Sequence, residues 1–319
     1  MTSWRAEVSA LGPYHQVYFE ALPGDVAFSC PAAVLAASAQ GRRVLIVCIF
    51  SEGRAPDLSQ LRRAEERESA QLMGCDVLFA DLGDSQRRGP SGRYQDFMGL
   101  LWEPEATEAP LLDEIAELMG AVLHQTQAAE AMVPLGIGRH IDRRLTFAAW
   151  RRMAGHEHAW EDKRGGAPVS GGIGFWCYEE RPYALVDQAT KMRLRELGFP
   201  VRLDAHRFFA DYWTTHYMHA MLTDPRQRVA CGARYMESIQ APVTSRYTPS
   251  SRLFSSDDPA ALWEVASAHK SQVSDLFGDQ RQYEWFGRLE ARRRQARTQY
   301  AERQWNPRLP RNPMTITWG

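Results

Sequence analysis

The sequence predicts an α/β fold: a Rossmann-like, mostly parallel sheet flanked by helices, with a helical elaboration at the C-terminal end. Three observations carry this expectation. Short β-rich runs alternate with helical patterns through the first half of the chain, as parallel strands joined by crossover helices require. The stretch VYFEALPGDVAFSC (17–30) reads as a strand that enters a tight turn and then a helix. Beyond about Arg207 the chain becomes aromatic and helical, as in FFADYWTTHYMHAML.

The strands are expected at HQVYFEA, RRVLIVCIF, CDVLFAD and AEAMVPL, with a fifth at FWCYEE. Helices are expected near Pro31 to Gln40, Leu58 to Met73 and Pro110 to Gln125, and another begins after His140. Pro31 suits an opening turn and Gly41 a C-terminal cap. LSQLRRAEERESAQLMG places Leu58, Leu61, Ala64 or Glu65, and Leu72 near one face, with charges on the rest, and ends at Gly74. KRGGAPVSGGIG (163–174) reads as a flexible loop. A helix at PAALWEVASAHKSQVSDLF, an arginine-rich helix and a polar, proline-bearing tail follow the aromatic segment. No linker composition interrupts the chain. Residues 1–319 are therefore taken as one domain, an α/β core over 1–206 and a mainly helical elaboration over 207–319.

With 319 residues and a formal charge of -1, the chain can bury a large core and has no basic excess to bind nucleic acid wholesale. No run approaches the ~20 apolar residues of a membrane span, and the first residues lack a signal peptide's apolar core, so a cytoplasmic location is expected. Cys30, Cys48, Cys75, Cys177 and Cys231 form no C-x-x-C, which argues against a disulfide framework or a structural zinc site.

Ligands of such sheets gather at the C-terminal strand ends. Two of those ends stand out. EALPGD follows the first strand and carries one titratable side chain beyond its glutamate, Asp25. PLGIGRHIDRR follows the fourth and brings His140, Asp142, Arg143 and Arg144 toward the same crevice.

These motifs resemble those of the LmbE-like (PIG-L) zinc-dependent deacetylases, which act on N-acetylglucosaminyl substrates and related metabolites. EALPGDVAFSC stands where the family has a pattern like S-P-H-L-D-D-A-V-L-S-C, and PLGIGRHIDRRL where it has P-L-G-x-G-x-H-x-D-H-R-L. RRAEERESAQLMG, CYEERPYAL and KSQVSDLFG match further segments in order. The resemblance implies zinc ligands at positions 22, 25 and 143, a general base at position 24, and an oxyanion-stabilising histidine at His140 oriented by Asp142. The residues in those positions are Leu22, Asp25, Arg143 and Gly24, so two ligands and the base depart from the pattern.

A single carboxylate cannot hold catalytic zinc, and a permanent guanidinium charge opposes a cation. Arg143 is therefore expected to pair with Asp25, with neither metal nor cofactor. The leading expectation is a metal-free enzyme of small-molecule or natural-product biosynthesis that converts a sugar-like or amide-bearing metabolite. His140 would be its acid/base and Asp142 the orienter, beside Asp25 and Arg143. Gly24 would leave room for ligand or water. Arg63 (or Arg62), Glu52, Tyr178 and Glu180 complete the expected substrate-binding set; the alternative for Arg62 or Arg63 is a surface ion pair with Glu65 or Glu66. Two other functions stay open: a non-catalytic pseudo-deacetylase that binds a metabolite or partner protein, and a hydrolase with a relocated metal. The expected partner is a small molecule, with a homo-oligomer possible through the helix from Phe208 to Leu222. His216 and His219 read as part of a packed helix, and His156 and His158 as a solvated helix end.

Overall fold

A computed structural model describes residues 4–88, 94, 106–155, 172–214, 224–246 and 248–306. The loop read at 163–171, His156, His158, His216, His219 and the end of the aromatic helix lie outside the described residues.

The chain enters through α1 (Trp4–Ser9), and β1 (Gln16–Glu20) turns into α2 (Asp25–Ser29) and α3 (Pro31–Ala39). Then come β2 (Val44–Cys48), α4 (Pro56–Met73), β3 (Asp76–Phe79) and α5 (Ser85–Arg88). Helix α6 (Ala109–Thr126) leads to β4 (Glu130–Pro134), α7 (Ile141–Gly155) and β5 (Gly174–Tyr178). Helices α8 (Ala189–Glu196), α9 (Ala205–Thr214) and α10 (Pro225–Gln240) precede β6 (Ser250–Ser256). The described chain closes with α11 (Pro259–Ser267), α12 (Val273–Phe277), α13 (Gln280–Arg293) and β7 (Tyr300–Asn306).

One sheet of order β3-β2-β1-β4-β5-β7-β6 organises these elements. Its first five strands are parallel, while β7 runs antiparallel to β5 and β6 antiparallel to β7. Strand β1 pairs with β2 on one side and β4 on the other, so the strand order reverses there. All five residues of β1 are buried, as a strand covered on both faces requires. Val17 and Phe19 join the core that includes residues of α6 and α7, and Tyr18 joins the opposite core with Val34 of α3.

Two features depart from the sequence reading. Helix α4 starts at Pro56 and ends at Gly74 in the left-handed region (φ 68), but its faces are the reverse of those expected. Leu58, Leu61 and Leu72 are 40%, 48% and 39% exposed, whereas Glu65 and Glu66 are buried with Ser59, Ser69 and Met73. The buried carboxylates accept backbone N–H groups from other segments, a use that an amphipathic pattern does not reveal. The C-terminal part also supplies two strands. Arg252 of β6 reaches back to Glu130 of β4 and to Gln304 of β7, which ties the added strands to the parallel core. In α9, Phe208 and Tyr212 pack on Tyr235 of α10 with ring centroids 5.0 and 5.5 Å apart.

Glu302 of β7 is buried and accepts the N–H groups of Ala33 (2.6 Å) and Ala32 (3.3 Å) in the first turn of α3. Removing it leaves two N–H groups without that acceptor in a dry setting. Glu302→Ala is expected to lower unfolding stability by about 2–3 kcal/mol in urea titration; a change below about 0.5 kcal/mol would show that this tie contributes nothing.

Candidate functional site

The two turns at the strand reversal are built by backbone as much as by side chains. Gly24 sits at φ 97, and its N–H donates to Glu66 Oε2 at 2.6 Å. The Leu22 N–H donates to Asp25 Oδ2 at 3.2 Å, and the Val26 N–H to Glu20 Oε2 at 3.1 Å. In the second turn Gly138 lies at φ 76 against the Tyr183 ring, where an added Cβ would fall 1.9 Å from a ring carbon. The Ile137 N–H donates to Glu180 Oε1 at 3.1 Å, and Gly136 donates to the same carboxylate.

Asp25 and Arg143 meet between these turns. Arg143 Nε lies 3.1 and 3.2 Å from the two Asp25 carboxylate oxygens, and Nη2 also bonds Oδ1, so the pair is direct and forked. Both residues are buried. Burial pulls the guanidinium down, but Asp25 and Tyr183 outweigh it and hold Arg143 above its usual value. The Tyr183 ring lies 4.9 Å from Arg143 Cζ. A catalytic zinc ion takes three protein donors around one point. Here Asp25 has Leu22 on one side and a guanidinium on its oxygens, and among the described residues no three His, Cys, Asp or Glu side chains are grouped to hold a metal ion. These residues do not fit a zinc ion.

The expected His140–Asp142 pair is close but not hydrogen-bonded. His140 Nδ1 stands 4.0 Å from Asp142 Oδ2, beyond a hydrogen bond, and lies 3.3 Å from the Asp142 backbone N–H, which donates to it. Asp142 is committed elsewhere. Its Oδ1 accepts from Arg88 Nη2 at 2.7 Å and its Oδ2 from the Ser85 N–H at 3.1 Å. Burial pushes the Asp142 carboxyl up, yet Arg88 and its neighbours hold it below the usual carboxylate range. Burial lowers the His140 imidazole to about 4, so the ring is neutral at pH 7.

Three residues that the sequence reading missed lie under the first turn. Glu20 and Glu66 are fully buried, and His269 is fully buried with its Nε2 3.5 Å from Glu66 Oε2. Burial raises Glu66 to about 7 and Glu20 well above its ordinary value, and it lowers His269 to about 4. His269 also closes the space over Gly24. A Cβ at position 24 would meet Phe28 Cε2 at 2.8 Å and His269 Nδ1 at 3.2 Å, so the room expected beside Gly24 is taken. Glu66 carried a signal in the R-x-x-E segment, but only as a surface partner for arginine.

The other expected residues make contacts within the chain. Tyr178 is buried and donates its hydroxyl to Phe19 O at 3.2 Å; Glu180 is buried on the Gly136–Ile137 turn, and burial raises it to about 7. Arg63 is held by Ser51 (3.0 Å), Glu52 (2.6 Å) and Asp81, and Glu52 also binds Arg87 at 3.0 Å. Each of the four is engaged by contacts within the chain. The neighbouring Arg62 differs: with Leu22, Pro23, Ser51, Leu58 and Asp84 it lines a cavity of about 380 Å³, within the range of small-molecule sites. Asp25, His140 and Arg143 are outside that lining.

The His140 value sets a pH test. Its folded value of about 4 lies below the ordinary histidine value of 6.5, so the unfolded chain binds the extra proton between those pH values. The stability that neutral His140 supports is present above pH 6.5 and lost as pH falls through 4. In urea titrations, His140→Gln should therefore gain stability relative to the natural protein between pH 7 and pH 4.5; a constant difference would show that the ring is solvated.

A family profile described as GlcNAc-PI de-N-acetylase (PIG-L) matches residues 17–153. No curated protein matches the chain. Among solved structures, the A40926 pseudoaglycone deacetylase Dbv21 superposes with a TM-score of 0.59 at 14% identity, covering 92% of this chain and 96% of that one. The zinc-inhibited form of the teicoplanin deacetylase Orf2 gives 0.60 at 15% identity, covering 91% and 96%. At such identities the likeness establishes the fold, an LmbE-like deacetylase fold. Residues 17–153, which carry both turns and the Asp25–Arg143 pair, form a domain of the PIG-L (LmbE-like) family.

Proposed function

We infer that this chain is a zinc-independent PIG-L family protein that binds a small molecule in the cavity at the ends of β1 and β2. The observation that carries the reading is the guanidinium of Arg143 forked onto Asp25. It fills the place where the family pattern sets a metal and satisfies the carboxylate that would have bound it. Breaking such a pair by truncating one partner typically costs about 3–5 kcal/mol, so displacement by a divalent ion at neutral pH is unfavourable. Binding is favoured over hydrolysis because Gly24 supplies no base, His140 has no carboxylate hydrogen-bonded to it, and the cavity opens onto Leu22 and Arg62.

A metal-free enzyme would rest on one observation: the neutral His140 imidazole, whose Nδ1 accepts the Asp142 N–H, keeps its proton on Nε2 as a hydrogen-bond donor beside the ion pair. Under that reading His140→Asn abolishes turnover without weakening the ligand, which a binding protein would not register.

Elemental mass spectrometry on the tag-free protein, before and after incubation with zinc, decides the metal question. Less than about one-tenth of an equivalent retained through dialysis is expected; about one tightly held ion per chain would sink the proposal. Leu22→His combined with Arg143→His places two imidazoles beside Asp25 and is expected to gain about one zinc per chain. That variant should still hydrolyse no acetamide, because Gly24 provides no general base. Acetamide hydrolysis by it would show that another group takes the base's role.

A further inference from the structure

The cavity at the strand ends is lined by a guanidinium that has no direct hydrogen-bond partner among the described residues. Arg62 lies on α4 one position before Arg63, yet where Arg63 is locked among Ser51, Glu52 and Asp81, no hydrogen bond or ion pair among the described residues engages Arg62. Its Nε is enclosed and lacks a hydrogen-bond partner, while the side chain lines the cavity. Burial lowers the group, and Asp84 and Glu65 act on it through space without an ion pair. Glu65 is itself spent on Ser271, accepting from its N–H at 2.8 Å and from its hydroxyl at 2.6 Å. Asp84 accepts the Arg87 N–H at 3.0 Å. Enclosing a guanidinium nitrogen without a partner costs free energy that a bound anion would return.

The rest of the lining is mixed. Leu22, Pro23, Phe50 and Leu58 give it an apolar wall, and Arg54 adds a second guanidinium at the rim, so two arginines face one aspartate. Building on the binding role inferred above, we propose that this cavity takes an amphipathic anion, a carboxylate or phosphate borne on an apolar body, with Arg62 gripping the head. The forked guanidinium matches either headgroup. Leu22 sets the class of the tail: where an imidazole would demand water or metal, an isobutyl group offers apolar contact. A volume of about 380 Å³ accommodates a short acyl chain with its head.

Calorimetric titration of the full chain with octanoate, octyl phosphate and the uncharged octanamide tests this. Both anions are expected to bind about tenfold or more tightly than octanamide, and the stronger of the two identifies the headgroup. Arg62→Gln should bring both anions to the octanamide level and leave octanamide itself unchanged; Arg42→Gln, an exposed control, should change nothing. Octanamide binding as well as the anions overturns the anionic class and leaves the cavity as the site, and a charge preference that survives Arg62→Gln overturns Arg62 as the group that grips the head. Failure of all three to bind at millimolar concentration overturns the class and the cavity reading together.

Discussion

A guanidinium forked onto a carboxylate at the strand reversal sets the terms for everything around it. Asp25 opens α2 and accepts the Leu22 N–H, so the first turn is shaped by the same carboxylate that holds Arg143. Arg143 comes from the first turn of α7, four residues beyond Arg139 at the end of the glycine-bearing turn after β4. The pair thus ties the two loops that a reversed strand order would otherwise leave facing each other across a crevice. Tyr183 lies over the guanidinium and Gly138 is pressed against Tyr183, so that ring walls the cation. An ion pair this enclosed is weak evidence for net stability, because desolvation offsets its attraction, but it is strong evidence for a fixed arrangement.

Buried acids recur as the fastening of this fold. Glu66 takes Gly24, Glu20 takes Val26, Glu180 takes the Gly136–Ile137 turn and Glu302 takes the start of α3. Burial pushes Glu66, Glu180 and Glu302 to about 7, above the ordinary glutamate value of 4.5. The stability linked to those raised values is full below pH 4.5 and is lost as pH rises through 7. His140 and His269 act in the opposite sense, since their depressed values of about 4 withdraw stability as pH falls below 6.5. The two sets oppose each other across the acidic range, which flattens the pH dependence that either would impose alone.

The strands and the first helices were legible because periodicity and end signals act locally: five apolar runs gave five parallel strands, and Pro31 and Gly74 mark helix ends where they stand. The pairing of Asp25 with Arg143 was legible as well, because two departures from one motif complement each other in charge. What sequence could not carry was the destination of side chains with several possible partners. Asp142 lies two residues from His140 but bonds Arg88, from a separate segment. Helix α4 shows a leucine stripe that stays exposed, while its glutamates turn inward to serve loops distant in sequence. The strand SSRLFSS is legible as such only once Glu130 and Gln304 are seen to receive Arg252.

On the proposed reading, exchanging metal chemistry for binding required the whole turn to change together. A lone Arg143 beside histidine and aspartate donors would compete with a metal without excluding it, whereas with Leu22 in place only one donor remains at that end. Gly24 completes the change in a way that a side-chain swap alone cannot reverse. Its φ of 97 is one that other residues resist, and Phe28 and His269 occupy the space a side chain would need. An aspartate at position 24 would therefore have to move the His269 segment, which Glu65 and Gln272 fasten to α4 and to Pro23. The barrier to recovering a base lies in packing that reaches from β1 to the segment after α11. The cavity beside it, walled by Leu22 and Pro23, inherits that rigidity as a preformed binding surface.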